Sequence, residues 1–219
     1  MTSADRRAFL GQSLGLASNL LVLPSLPVLS TETSPAKSDL LSRMQWLNPP
    51  PSARIEAGRL TVRSAARADF YRLPGWNIDN GNFFHLPVSG DFTFQARING
   101  QFAARYDQAG IMVRLDAENW IKCGSEFVDG QRYASVVFTR TFSDWSTMKD
   151  LSDTAPVWWR VIRTKESLET SCSLDGEKFT SVRQGYFPAA AILQVGLLCA
   201  SLEGQGVAAS FDSLQLTAS

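Results

Sequence analysis

The sequence predicts an all-β protein, a two-sheet antiparallel jelly-roll sandwich, and three observations lead to this prediction. Apolar residues recur at every second position in many short runs, which is the period of a half-buried strand. Turn-forming pairs such as Asn99-Gly100 and Asp175-Gly176 separate these runs at short intervals. No segment shows the pattern of a long amphipathic helix. Roughly a dozen short strands of this kind pack best as two layers around one core.

The composition fits one domain with a sizeable core. The 219 residues are 44% hydrophobic and 19% charged, and their formal net charge is zero. Nucleic acids and anionic membrane surfaces both favour basic proteins, so the balanced charge argues against either as the main partner. The aromatic share of 11%, with six tryptophans, suits a sandwich core and equally a surface that stacks on sugar rings.

The N-terminal residues predict an export signal. Paired arginines at residues 6–7 precede a weakly apolar run over residues 8–29, a pattern that resembles a twin-arginine signal. Pro24 and Pro27 interrupt this run before it reaches the ~20 apolar residues that span a bilayer, so we expect no stable membrane span after signal removal. The expected location is the periplasm or the cell exterior, or the cytoplasm if the signal is not functional.

The composition divides the chain into three parts. Residues 1–36 are assigned to the export signal and the start of a linker, residues 37–42 to the linker, and residues 43–218 to a single domain. The linker assignment depends on Ser, Thr, Pro and charged residues that show no periodicity. The length of the third part is typical of one domain rather than two.

Residues 106–140 contain the clearest strand pattern. Three runs alternate between an apolar face and a mixed face, and the turn signal Asp129-Gly130 separates the second run from the third. The apolar faces hold Ala109, Ile111, Val113 and Leu115, then Ile121, Cys123 and Phe127, then Ala134, Val136 and Phe138. We therefore expect three adjacent strands with one face in the core and the mixed face available for function.

The remaining strands are predicted from the same alternation. They cover residues 44–47, 54–63, 68–73, 82–86, 91–98, 157–162, 168–182, 193–199 and 207–216, with hairpins in the second and seventh runs. The apolar phase changes within the last run, which predicts a β-bulge near Asp212-Ser213. Residues 143–146, with three polar side chains around Trp145, are expected to form a loop between strands.

Several short motifs resemble one protein family. They are Val88-Ser-Gly-Asp-Phe-Thr-Phe94, Tyr106-Asp-Gln-Ala-Gly-Ile-Met-Val-Arg114, Asn119-Trp-Ile-Lys122, Gly124, Glu126, Ser143-Asp-Trp-Ser146, Ser173-Leu-Asp-Gly176 and Tyr186-Phe-Pro188. The family that they resemble is the concanavalin A-like domain of unknown function typified by the regulation-of-enolase protein. The resemblance covers nearly all of the chain after the linker and implies a concanavalin A-like jelly roll of the lectin and glucanase type. It implies no catalytic residues, because the family supplies no catalytic set to carry over.

The mixed face predicts a binding groove on the concave sheet. Its candidate ligand-binding residues are Arg114, Trp120, Lys122, Glu126, Tyr133, Trp145, Trp158 and Arg160. The aromatic members offer flat surfaces for the apolar face of a sugar ring, and the charged members offer hydrogen bonds to its hydroxyls. The alternative is a solvated sheet face with cross-strand ion pairs, each worth a few tenths of a kcal/mol. Lys122 and Glu126 are ~13 Å apart along one strand, so each needs a partner from elsewhere.

Catalysis and metal binding find little support in the residue patterns. A retaining glycosidase needs two carboxyls about 5 Å apart. Glu126 and Asp129 face opposite sides of their strand, and no other strand carries a Glu-x-Asp or Glu-x-Glu pair. His85 is the only histidine and the three cysteines lack metal-ligand spacing, so neither a metal site nor a cofactor is predicted. Cys123 and Cys199 are expected in the core, and in an oxidising compartment any one pair among the three cysteines could form a disulfide.

The sequence thus favours a non-catalytic domain that binds a carbohydrate or a similar polar ligand on its concave sheet. Two alternatives stay open, a glycan hydrolase or lyase and a protein-interaction or regulatory module. A deep groove with two carboxyls within about 6 Å would favour the hydrolase, an aromatic-floored shallow groove the binding domain, and a flat apolar patch the interaction module.

Overall fold

Two seven-stranded antiparallel sheets make up most of the protein in its computed structural model. The structure describes residues 39–149 and 152–218. The predicted export signal, residues 1–36, lies outside the described residues, so export stays a prediction. None of the helical segments within the described ranges has the length and apolar character of a membrane-spanning helix.

We call the first sheet the front sheet. Its strands, in spatial order, are β1 (Gln45–Leu47), β6 (Asn82–Ser89), β15 (Ile192–Ser201), β8 (Asp107–Arg114), β9 (Asn119–Val128), β10 (Gln131–Arg140) and β11 (Phe142–Lys149). The last four are consecutive in the chain and in the sheet, so residues 107–149 form a continuous meander. Asp129 and Gly130 have φ angles of 50° and 84°, the geometry of the tight hairpin turn that this pair predicts.

We call the second sheet the back sheet. Its strands, in spatial order, are β14 (Thr180–Tyr186), β13 (Ser167–Ser173), β12 (Val157–Thr164), β7 (Phe92–Gln101), β16 (Ala208–Ala218), β3 (Arg59–Arg63) and β2 (Ser52–Glu56). The described residues also contain a short helix, α1 (Asp39–Ser42), and a separate two-stranded hairpin of β4 (Phe70–Leu73) and β5 (Trp76–Asp79).

The core lies between the two sheets, and the predicted two-sheet sandwich is confirmed. The alternating apolar residues of the central front strands point into it, namely Ala109, Ile111, Val113, Ile121, Cys123, Ala134, Val136 and Phe138. The back sheet contributes Phe94, Trp159 and Val161, all fully buried. Burial of one aliphatic or phenylalanine side chain contributes roughly 1.5–3 kcal/mol. This layer therefore fixes which residues of β8, β9 and β10 face away from the core.

All three cysteines lie in the core, as predicted for Cys123 and Cys199. Burial raises the pKa of both of these thiols. Because the thiolate is the reactive form, such cysteines are packing residues rather than nucleophiles.

Two segments differ from the prediction. Residues 143–146 belong to β11 rather than to a loop, because β11 pairs with β10 along its whole length. Polar side chains are tolerated there because β11 is an edge strand. Residues 39–42, predicted as part of the linker, form α1, and Leu41 is only 2% exposed in the core. The folded part of the chain therefore includes them.

The predicted bulge in the last strand is confirmed. The pairing of β16 with β7 shifts register between Asp212 and Gln215, and Ser213 has a φ of 53°. The bulge brings Leu214 into the core that Phe211 also occupies, so both apolar phases of this strand are buried.

Candidate ligand-binding site

A hairpin covers part of the outer face of the front sheet. We call residues 68–81, which contain β4 and β5, the cover hairpin. Phe70 of this hairpin is fully buried and packs edge-on against Trp120, with ring centroids 6.2 Å apart. The two rings share an apolar cluster with Phe83, Met112, Val137 and Leu198, which lies outside the main core. Trp120 is therefore a packing residue beneath the hairpin.

Polar contacts fix the cover hairpin at both ends. Asp79 accepts two hydrogen bonds from the Arg114 guanidinium, at 2.6 and 2.9 Å, the bidentate geometry of a strong ion pair. Arg72 donates to Glu118 at 2.8 Å and to the carbonyl of Thr141 at 2.9 Å. Arg114 therefore anchors the hairpin to β8 rather than offering its guanidinium to a ligand.

The hairpin places Asp69 against the polar residues of the front sheet. Asp69 Oδ1 accepts hydrogen bonds from Lys122 Nζ at 2.5 Å, from Gln108 Nε2 at 2.9 Å and from the Phe70 amide at 2.7 Å. Asp69 and Lys122 are each 4% exposed. The partner that the sequence could not supply for Lys122 is thus a carboxylate from the hairpin.

Glu126 lies on the same strand and the same face as Lys122 and is 5% exposed. Its Oε2 atom accepts hydrogen bonds from Ser135 Oγ at 2.6 Å and from Trp145 Nε1 at 3.0 Å. Burial raises the pKa of Glu126 above its ordinary 4.5, although Lys122 and the Ser135 hydrogen bond act in the opposite direction. Glu126 is therefore a buried acid whose position is fixed by two donors.

These three side chains leave polar atoms available to a ligand. No described residue donates a hydrogen bond to Glu126 Oε1 or to Asp69 Oδ2. Within residues 39–149 and 152–218, Lys122 Nζ bonds to Asp69 Oδ1 alone, so two of its three N–H donors remain. We call Asp69, Lys122 and Glu126 the polar triad. It offers an acceptor, a donor and a second acceptor.

The floor beside the triad is bare backbone. Gly110 of β8 and Gly124 of β9 are register partners. A Cβ on Gly110 would lie 2.0 Å from the carbonyl oxygen of Cys123, and a Cβ on Gly124 would lie 2.3 Å from that of Ala109. Neither position can carry a side chain, so no side chain of Gly110 or Gly124 fills the space beside Lys122 and Glu126.

Two aromatic pairs form walls above the triad. Tyr71 and Trp76 come from the cover hairpin, with ring centroids 5.9 Å apart, and Tyr106 and Trp145 come from the front sheet side, 6.4 Å apart. Together with the triad, Val137 and Leu202, they line a pocket of about 170 Å³. An engineered cavity of about 150 Å³ holds one benzene ring, so the pocket has room for a single six-membered ring.

Tyr106 adopts a backbone conformation that is unusual for its residue type. Its φ is 63°, in the left-handed region that bulky side chains rarely occupy. The conformation is held by a 2.7 Å hydrogen bond from its amide to the carbonyl of Phe127, and the Arg105 guanidinium lies 4.6 Å from the centre of its ring. Strain of this kind concentrates at functional sites, and here it accompanies a ring that faces the pocket.

Three of the eight predicted site residues line this pocket: Lys122, Glu126 and Trp145. Arg114 and Trp120 share the face but hold the hairpin. Tyr133 lies opposite Glu126 in the register of β9 and β10, outside the pocket lining, and its hydroxyl bonds to Gln131 Oε1 at 3.3 Å. Four residues of the pocket were not predicted from the sequence, and all lie in or beside segments without a long alternating pattern: Asp69, Tyr71, Trp76 and Tyr106.

The prediction that Trp158 and Arg160 share this groove is wrong. Both lie on β12, which belongs to the back sheet. Trp159 and its alternating neighbours on β12 point into the core, so Trp158 and Arg160 point away from it on the opposite side of the sandwich. There Arg160 lies 3.5 Å from the centre of the Phe179 ring and donates to Gln95 at 2.9 Å. Alternation of apolar residues predicts which face of a strand is buried, but it does not predict to which of the two sheets the strand belongs.

His85 is a structural residue, as its position beside two phenylalanines indicates. Its ring stacks on Phe83 with centroids 4.8 Å apart. Burial and the neighbouring Arg114 charge lower the pKa of His85 below its ordinary 6.5, which favours the neutral ring.

Comparisons with known proteins agree with this fold. The chain is 36% identical over 185 residues to "Regulation of enolase protein 1" of Saccharomyces cerevisiae, a match that covers 84% of this chain and 93% of the yeast protein. A crystal structure of a functionally unknown protein from the same yeast is also 36% identical, with a TM-score of 0.78, and the match covers 82% of this chain and 98% of that one.

Two more distant structures share the fold. A GH43 protein from Bacillus licheniformis has a TM-score of 0.65 at 16% identity, over 81% of this chain and 37% of that one. The carbohydrate binding module CBM66 from Bacillus subtilis has a TM-score of 0.54 at 13% identity, over 79% of this chain and 95% of that one. At such low identity these likenesses show the fold alone.

A family model assigns the larger part of the chain. The model described as "Protein of unknown function (DUF1349)" matches residues 46–219, which include every strand except the first residue of β1. With this match and the 36% identity to the yeast protein, the chain belongs to the DUF1349 family of proteins of unknown function.

Proposed function

We propose that this domain binds a carbohydrate, or a ligand with similar hydroxyl groups, in the pocket beneath the cover hairpin and does not transform it. The observation that carries the proposal is the polar triad. Asp69, Lys122 and Glu126 are almost fully buried, yet each keeps hydrogen-bonding capacity that no described residue uses. The three side chains line the pocket, so their remaining acceptors and donors are open to the hydroxyl groups of a ligand.

The polar triad offers an acceptor, a donor and a second acceptor, which suits a ligand with neighbouring hydroxyl groups. A sugar hydroxyl donates one hydrogen bond and accepts others, so adjacent hydroxyls can donate to Asp69 Oδ2 and Glu126 Oε1 while accepting from Lys122 Nζ. A site built to hydrogen-bond a hydroxyl strongly rejects the analogue that lacks it, because its own buried groups are then left unpaired. The triad therefore supplies selectivity for hydroxylated rings.

The aromatic walls suit the rest of such a ring. The C–H groups of a sugar form apolar patches that pack well against flat aromatic surfaces. Tyr71, Trp76, Tyr106 and Trp145 all line the pocket, so a ring bound there contacts aromatic side chains from both pairs. The hydrogen bond from Trp145 Nε1 to Glu126 joins the wall to the triad.

The rival function is glycan hydrolysis, and one observation favours it. Asp69 and Glu126 line the same pocket, and burial raises the pKa of Glu126. Two carboxyls in different environments are typical of an acid and base pair. Against this, Asp69 Oδ1 already accepts hydrogen bonds from three donors, so this oxygen is not free to attack a substrate. Release of reducing sugar from any bound glycan would establish hydrolysis.

A regulatory role has support from the name of one relative. The yeast protein is named "Regulation of enolase protein 1", and a regulatory role for this domain would act through a protein partner. Co-purification of an enolase with the full-length protein would favour this third function over simple ligand binding.

The test compares two tryptophans in the full-length protein. Trp145→Ala removes a wall of the pocket, and Trp158→Ala removes a half-buried tryptophan from the opposite side of the sandwich. Stacking of a nucleic-acid base on an aromatic ring contributes on the order of 1–3 kcal/mol, and with a contribution of that size from Trp145, Trp145→Ala should weaken binding of the best ligand in a saccharide panel by about tenfold. Trp158→Ala should leave it unchanged. Equal binding by both variants, measured by calorimetry, would reject the pocket.

A further inference from the structure

The pocket is lined by two carboxyl groups and one ammonium group. Its ionisable lining residues are Asp69, Lys122 and Glu126 together with two tyrosines. Lys122 Nζ forms an ion pair with Asp69 Oδ1 at 2.5 Å. Glu126 Oε2 accepts hydrogen bonds from the Ser135 hydroxyl and the Trp145 indole, which are both uncharged donors. With both carboxyls ionised the triad has a net charge of −1, and Glu126 is the carboxylate that has no direct ion pair with Lys122.

The arginines around the pocket are engaged with other carboxylates. The pairs are Arg72 with Glu118, Arg114 with Asp79, Arg183 with Asp144 and Arg105 with Asp129, at N–O distances between 2.6 and 3.2 Å. Because these arginines are already paired, they do not offset the charge of the triad, and the electrostatic potential inside the pocket is negative. Burial raises the pKa of Tyr71 above its ordinary 10.0, and the charges of Asp69 and Glu126 raise it further.

The aromatic walls add to this preference. The face of an aromatic ring carries partial negative charge and attracts cations, most strongly where water is excluded. Tyr71, Trp76, Tyr106 and Trp145 surround the space beside Glu126. A positive charge in this space would meet both the carboxylate and the rings, whereas a second negative charge would be repelled by all of them.

We infer that the sugar unit bound in this pocket is an amino sugar whose protonated amine lies against Glu126 Oε1 between the two aromatic pairs. The inference rests on the proposed carbohydrate-binding function and names the class of sugar. The remaining groups fit the same ligand, because Asp69 Oδ2 accepts from one hydroxyl and Lys122 Nζ donates to another. Acetylation of the amine removes its charge and adds bulk, so the N-acetyl form should bind less well.

The experiment measures four probes on the full-length protein at pH 7 by calorimetry and by tryptophan fluorescence. The probes are D-glucosamine, D-glucose, N-acetyl-D-glucosamine and choline. Glu126→Gln removes the negative charge while its side-chain oxygen can still accept from Ser135 and Trp145. Glu169→Gln removes the same charge from β13 of the back sheet and serves as the matched control.

D-Glucosamine should bind at least about tenfold more tightly than D-glucose, the range that an added ion pair and cation–π contact give. Added salt should weaken binding of glucosamine more than that of glucose. Glu126→Gln should abolish the preference and Glu169→Gln should preserve it. Equal binding of glucose and glucosamine would overturn the amino-sugar inference and leave the carbohydrate proposal standing. Binding of choline with no binding of any sugar would overturn the carbohydrate proposal instead, and binding of none of the four would overturn the inference.

Discussion

The two outer faces of the sandwich carry similar residue types and differ in what covers them. Each carries tryptophan, arginine and carboxylate side chains. On the front sheet the cover hairpin buries the Asp69–Lys122 ion pair, whose side chains are both 5% exposed. On the back sheet the Arg97–Asp212 ion pair keeps side-chain exposures of 39% and 15%. The difference shows that a sheet face becomes an enclosed site through the segment that crosses it, not through its own composition.

The largest expected effect comes from breaking the buried ion pair. Lys122→Met leaves Asp69 charged and buried, which should lower the free energy of unfolding by about 3–5 kcal/mol. Arg97→Met breaks the corresponding pair on the open face and should cost less than about 1 kcal/mol, because solvent screens that pair. Urea unfolding of both variants gives the comparison.

A double variant sharpens this result. Asp69→Asn combined with Lys122→Met removes both charges and should recover much of the lost stability. Similar losses in Lys122→Met and Arg97→Met, or no recovery in the double variant, would contradict the description of the triad as a buried charged cluster.

A smaller effect of opposite sign is expected at Glu126. The fold raises the pKa of Glu126, so the folded state holds its proton more tightly than the unfolded chain. Stability from this group is therefore fully present below pH 4.5 and is lost as pH rises toward the folded-state pKa. Glu126→Gln has no such loss and should be more stable than the wild type at pH 7 by on the order of 1 kcal/mol.

The pH dependence of the stability difference between Glu126→Gln and the wild type tests whether the raised pKa of Glu126 causes that difference. The difference in melting temperature between Glu126→Gln and the wild type should shrink as the pH is lowered to 4. Glu169→Gln should show no comparable trend. A variant that gains stability and loses ligand affinity would show that Glu126 is kept for binding, whereas lower stability of Glu126→Gln at pH 7 would contradict the account.

The smallest expected change in stability concerns Tyr106. Tyr106→Gly relieves the strained φ of 63° but loses the contacts with Trp145 and Arg105. Glycine also raises the conformational entropy of the unfolded chain. These effects oppose one another, so the free energy of unfolding should change by no more than about 1 kcal/mol. Ligand affinity should nevertheless fall about tenfold, since one wall is gone. Ser213→Gly, at φ 53° in the bulge of β16, is far from the pocket and should leave ligand affinity unchanged. A loss of stability well above that limit would assign Tyr106 a packing role.

The sandwich and the inward face of its central strands could be predicted because their signals are local. Alternation over residues 107–140 places Ile111, Ile121 and Val136 in the core, and a change of phase in one strand was enough to locate the bulge at Asp212. The loop expected at residues 143–146 is a strand because pairing with β10 outweighs the polar character of an exposed edge. In that case a long-range pairing overrode a local signal.

The site could be predicted only in part, because its two halves are distant in the chain. Lys122 and Glu126 were found from their positions on the mixed face. Asp69 lies 53 residues before Lys122, and no pattern around it in the sequence indicates that it contacts β9. The sequence around Asp69 offers only a weak local indication that this segment forms part of a binding site. Tyr71 and Trp76 flank Pro74-Gly75, and aromatic residues beside a turn are candidates for a wall over a neighbouring surface.

The most direct test is the indole N–H signal of Trp145 in a nuclear magnetic resonance titration of the full-length protein with D-glucose, D-glucosamine and N-acetyl-D-glucosamine in turn. This N–H donates to Glu126 Oε2 at 3.0 Å, so it reports on the polar triad from within the pocket wall. We expect a saturable shift of the Trp145 signal with at least one of these sugars and a constant Trp158 signal. A shift at Trp158 with none at Trp145, or no saturable shift with any sugar, would contradict this expectation.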